Sequence, residues 1–96
     1  MEKQQFYIIR GAEAGVFFGH IKERNGGEAV LTDVRRLWYW KGAASLSQLA
    51  VEGVSEPKLC KFSVPVPEMT VLGVIELIPC SEGAVNSIQG VAQWRA

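Results

Sequence analysis

Neither sign of charge prevails in this sequence: ten acidic side chains balance ten basic ones, for a formal net charge of +0. A chain without a net field has little to hold duplex nucleic acid or an anionic membrane surface. No apolar stretch approaches the roughly 18 residues a membrane helix needs. Met1-Glu2-Lys3-Gln4-Gln5 runs into a short apolar segment without a signal-peptide core, so a cytoplasmic protein is expected. Cysteine is scarce. Cys60 and Cys80 lie in apolar, strand-like sequence and read as two free thiols in the core. With one histidine, His20, and neither C-x-x-C nor H-x-x-x-H, zinc-ligand spacing is missing, and no metal or cofactor is expected. The carboxylates are scattered, and no phosphate-loop or nucleophile motif occurs, so no catalytic constellation is legible and an enzyme is not expected.

What is present is a foldable composition: 48% of the residues are apolar and 21% are charged, far from the signature of disorder. Residues 1–96 suit one domain. A domain this small leaves apolar side chains outside unless a second subunit covers them, so a homo-oligomer is expected.

The β-branched and aromatic density of Phe6-Tyr7-Ile8-Ile9-Arg10 predicts a strand. Residues 16–24 and 28–40 face each other across Asn25-Gly26-Gly27, and Asn-Gly is the dipeptide a type I′ hairpin turn prefers. Ser45-Leu46-Ser47-Gln48 has the form of a capping box, predicting a helix to Glu52 that ends at Gly53. Residues 59–64 read as a strand, and Val64-Pro65-Val66-Pro67 as a connection or an edge, because proline has no N–H for a ladder. The long apolar run 69–78 predicts one buried central strand with Gly73 as a bulge. Ser81 caps a second helix through Gln89, and residues 91–96 return as a final strand. The fold class expected is α+β: a small, mostly antiparallel sheet with a β-hairpin turning at Asn25-Gly26 and two short helices on one face.

The densest chemistry lies in Arg35-Arg36-Leu37-Trp38-Tyr39-Trp40-Lys41-Gly42, which gathers three cations and three large aromatics. Strand parity sends Arg36, Trp38 and Trp40 to one face and Arg35 and Tyr39 to the other. Indole rings beside a guanidinium can stack on a planar ligand such as a nucleobase. The small-residue turn Gly42-Ala43-Ala44-Ser45, opening a helix, offers N–H groups to an anion. The expected ligand-binding set is therefore Arg35, Arg36, Trp38, Tyr39, Trp40, Lys41 and Ser45. His20 is expected exposed or capped on its strand, and Glu76 on an exposed face or, if buried, paired with a cation or a hydroxyl.

The segment Arg35-Arg36-Leu37-Trp38-Tyr39-Trp40-Lys41-Gly42-Ala43-Ala44-Ser45-Leu46-Ser47-Gln48-Leu49-Ala50-Val51-Glu52-Gly53-Val54, with Cys60-Lys61-Phe62 and Ile75-Glu76-Leu77-Ile78-Pro79 downstream, resembles the signature of a family of uncharacterised small proteins encoded by bacteriophages and prophages. The resemblance implies a common fold and a phage setting, with no activity and no site residues to carry over. Two roles follow as expectations. One is a non-enzymatic binding protein, an oligomer sequestering a small nucleotide-type defence signal such as a cyclic nucleotide. The other is a structural or adaptor protein whose Trp-rich motif is a protein interface.

Overall fold

Strands form where β-branched and aromatic residues concentrate. In the computed structural model, which describes residues 5–96, these are β1 (Phe6–Gly11), β2 (Gly15–Asn25) and β3 (Glu28–Tyr39), an antiparallel meander. The reading of the N-terminus as lacking a leader rests on Met1 to Gln4 and lies outside the described residues. The hairpin falls where Asn-Gly predicts it, with its turn displaced by one residue. Asn25 pairs with Glu28, so Gly26 and Gly27 form the loop. Gly26 alone takes a positive φ, 58°, whereas a type I′ turn needs one at both central residues.

Along the other edge of β3 lie, in succession, β4 (Lys61–Phe62) and β5 (Val66–Leu72). The strand expected over 59–64 shrinks to those two residues, because Pro57–Leu59 form a 3-10 turn and Pro65 cannot donate to a ladder. The central strand expected over 69–78 is instead two edge strands. Gly73, at φ 73°, divides β5 from β6 (Val74–Pro79), and β6 pairs with β1 at the opposite side of the sheet. The order is β4-β3-β2-β1-β6, with β5 beside β3.

A one-residue link between opposite edges requires a strongly curled sheet. Gly73 accepts from the Ala12 N–H at 2.8 Å, and the Val74 N–H donates to Gly27 at 2.8 Å. Ala12 precedes β2 and Gly27 follows it. A straight strand of that length would hold its ends roughly 33 Å apart at about 3.3 Å per residue. Bulges supply the bend. The β2–β3 register shifts between Phe18 and His20 and again between Ile21 and Glu23. At the first shift Asp33 adopts φ 50°, the only non-glycine with positive φ among the described residues.

Curling answers why apolar side chains occupy both faces. Ile8, Phe18, Leu37 and Phe62 point to the convex side, where α1 (Leu46–Glu52) and α2 (Glu82–Gln89) cover them with Leu49, Ala50, Ala84 and Ile88. Ile9, Phe17, Ala29, Leu31, Val34 and Val71 fill the concave side as a second core. Both helix starts match their caps: Ser45 Oγ accepts from Gln48 N–H at 3.1 Å, and Ser81 Oγ from Ala84 N–H at 3.0 Å. Ser87 fastens the helices together, accepting from Val54 N–H and donating to Val54 O. No strand forms over 91–96. That segment makes a single bridge, Gln93 to Phe62, and a hydrogen bond from Trp94 N–H to Phe62 O at 2.8 Å. Cys60 and Cys80 are free and buried, and burial pushes the Cys80 thiol up to about 11.

Candidate functional site

Arg35 and Arg36 are neighbours with opposite surroundings. Arg35 points to the helix side and is buried, with all its N–H groups donating to backbone carbonyls: Nε to Ser63, Nη1 to Ile88 and Val91, Nη2 to Phe62 and Ala92, at 2.8 to 3.4 Å. Ile88 belongs to the last turn of α2, whose carbonyls lack partners within the helix. Arg35 therefore fastens α2 and the C-terminal segment to β4, and no donor is left for the phosphate expected of it. Burial lowers its pKa from the ordinary value. Arg36 points to the concave side. Its guanidinium lies 4.9 Å from the Phe17 ring and 5.5 Å from the Trp38 ring.

The expected grouping of Arg36, Trp38 and Trp40 on one face breaks after Trp38. The β3–β4 register shifts between Leu37 and Tyr39. Leu37 and Trp40 consequently both pack against the helix-side core, while Trp38 and Tyr39 are both displayed to solvent, 59% and 50% exposed. Trp40 thus serves packing, wedged with Ala43 and Leu46 against that core. Two residues outside the expected set join the exposed pair. Trp94, 49% exposed, meets Trp38 edge to face at a centroid distance of 6.3 Å. Lys61, the cross-strand partner of Tyr39, holds its ammonium 5.5 Å from the Trp94 ring centre. Parity could place Lys61 opposite the buried Phe62, but nothing local reveals that Trp94 folds back beside β4.

Lys41 is exposed at the end of β3, and its backbone N–H meets the Cys60 sulfur at 3.5 Å. Ser45 and the turn before it satisfy themselves: the hydroxyl caps α1, and Gln48 Oε1 accepts from Ala44 N–H at 2.7 Å. With α1 only seven residues long and these groups already used, the turn brings little to an anion site. The structure thus brings Trp38 and Tyr39 together with Trp94 and Lys61, leaves Lys41 at their margin, and separates Arg35, Trp40 and Ser45 from them. None of these cations forms an ion pair with a carboxylate among the described residues.

A second polar group lies along the convex side. His20, expected exposed or capped on its strand, is buried, its ring packed on Phe6 at 3.8 Å. Nδ1 sits 3.1 Å from the Gln5 carbonyl and must carry a proton to donate to it, while Nε2 faces Asp33 at 4.0 Å. No hydroxyl or thiol is hydrogen-bonded to His20, and no group of three or more His, Cys, Asp or Glu could hold a metal ion, both among the described residues. Glu76 pairs with Arg10 at 3.1 Å.

Sheet, helices and exposed cluster together define a small α+β domain: a curled antiparallel sheet backed by two helices, with an aromatic and basic patch where its third strand ends. The chain belongs to the DUF6948 family, a domain of unknown function, which it matches over residues 4–88. Trp94 lies beyond that matched stretch. No curated protein and no solved structure matches the chain. No helix among the described residues is long and apolar enough to cross a membrane.

Proposed function

We propose that this protein works by binding rather than catalysis, and that its ligand is a nucleotide-type molecule stacked on the Trp38–Trp94 patch. The observation that carries this reading is the pairing of two half-exposed indoles with the Lys61 ammonium, which forms no ion pair with a carboxylate among the described residues. Stacking of a base on an aromatic ring is worth about 1–3 kcal/mol, and a charge-assisted hydrogen bond to phosphate about 1.5–3 kcal/mol. On an open surface such terms support weak binding. Enclosure by a second copy of the chain would strengthen it, in keeping with the expected homo-oligomer. In the phage setting that the resemblance implies, the role would be sequestration of a cyclic nucleotide used in host defence.

A protein partner is the second reading, favoured by the exposure of three large aromatic side chains, Trp38, Tyr39 and Trp94, near one another. Exposed Trp and Tyr side chains suit an interface. Titration of tryptophan fluorescence with linear and cyclic nucleotides, alongside light scattering, separates the two. Quenching by one nucleotide class, lost in Trp94→Ala and Lys61→Ala with mass unchanged, supports ligand binding. Absence of any response, with Trp38→Ala changing the mass of the assembly, supports the interface instead.

A further inference from the structure

The concave side of the sheet carries a feature that the patch leaves unused. Beside the inner core a cleft of about 610 Å³ opens between the β1–β2 turn and β5, floored by Phe17, Met69 and Val71 and edged by Leu72 and Glu13. Arg36 also lines it. Its guanidinium is half-buried between two aromatic rings, which fix its position, yet its side chain makes no hydrogen bond and no ion pair among the described residues. Arg35, one residue earlier, spends every donor on carbonyls. A planar fork of donors, preorganised by stacking and left uncommitted beside an apolar hollow, matches a carboxylate attached to an apolar body.

We propose that this cleft binds a small apolar molecule bearing a single carboxylate, with Arg36 gripping the carboxylate and Phe17, Met69 and Val71 receiving the apolar part. Charge matching selects the headgroup. Among the described residues Arg36 is the only cation lining the cleft, and Glu13 lines it as well. A phosphate monoester, with about 1.5 to 2 negative charges at neutral pH, would exceed the one positive charge and face the Glu13 carboxylate as well. A carboxylate carries the one charge that Arg36 balances.

Calorimetric titration of the full chain with decanoate, decanol and decyl phosphate tests this. Decanoate should bind, with decanol weaker by about tenfold or more, the equivalent of losing a charge-assisted hydrogen bond. Decyl phosphate should also be weaker than decanoate. Arg36→Met, which keeps an unbranched apolar stem, should weaken decanoate by a similar factor. Glu13→Gln, a substitution at an exposed turn position, should tighten it. Trp94→Ala should leave decanoate binding intact, so failure here and failure of the nucleotide reading are separate results. The proposal is overturned if decanoate gives no binding at millimolar concentration, if decanol or decyl phosphate binds as well, or if folded Arg36→Met binds decanoate like the parent protein.

Discussion

Arg35 has five donors facing five backbone carbonyls, so its removal strands oxygens from three parts of the chain at once. Each buried acceptor left without a partner costs about 1–3 kcal/mol. Some of these carbonyls keep another bond, as Phe62 O keeps Trp94 N–H. Arg35→Met should therefore lower unfolding free energy by about 3 kcal/mol, read from urea denaturation, while Arg36→Met should change it far less. Cys80 gives a pH signature of its own. Burial raises its thiol from the ordinary 9.0 to about 11, so the folded protein holds the proton after the unfolded chain has released it. Unfolded protein then binds fewer protons, and stability, complete below the unfolded thiol's pKa, falls as pH rises toward the folded value. The loss should reach about 2 kcal/mol. Comparing urea midpoints near neutrality and at the alkaline end checks this, and Cys80→Ala should lack that part of the slope. Neither role is visible locally, since Arg35 and Arg36 look alike in sequence and only the path of residues 62–92 decides which is enclosed.

At the scale of elements, helices were the most legible part because their signals are local. Ser45 with Gln48, and Ser81 with the turn after it, state where each helix starts. Strands were legible in the meander and misleading in the run 69–78. Apolar content marks a strand without revealing its neighbours, and two edge strands joined at Gly73 look like one central strand. Bulges account for the misplaced faces in the candidate site, since a single extra residue near Trp38 exposes it with Tyr39 and turns Trp40 inward. The bulge at Asp33 has its own requirement on the facing strand. A Cβ on Gly19 would lie 3.1 Å from both the Thr32 carbonyl and the Val34 Cα, backbone atoms held by the ladder. Gly19→Ala should cost about 1–3 kcal/mol by thermal or urea melting. It should also disturb His20, whose amide exchange would report the change.

On the scale of the molecule, the last residues act as a clasp. Val91 and Ala92 hold Arg35, Gln93 bridges to Phe62, and Trp94 donates to Phe62 O. Ending the chain after Gly90 should lower the melting temperature by several degrees. A loss of about one or two kcal/mol is expected, and each kcal/mol shifts the melting temperature of a domain this size by about 4–8 °C. It should abolish nucleotide quenching with Trp94 gone. The overall architecture was readable as α+β because a hairpin signal and two capped helices stand in separate stretches of sequence, whereas the curl was not, since it depends on register shifts between paired strands and on the one-residue link at Gly73.

That curl also fixes an order of events at the ribosome. The meander emerges first, apolar on both sides, while everything that shields it comes later: β5 and β6 for the hollow side, α1 and α2 for the other. A nascent chain ending near Tyr39 is a sticky, two-faced sheet with bare edges, the kind of intermediate that aggregates. Synthesis slowed within the second half should therefore raise the share of chain lost to aggregates, and a trigger-factor-type chaperone should hold stalled chains of that length more than finished ones.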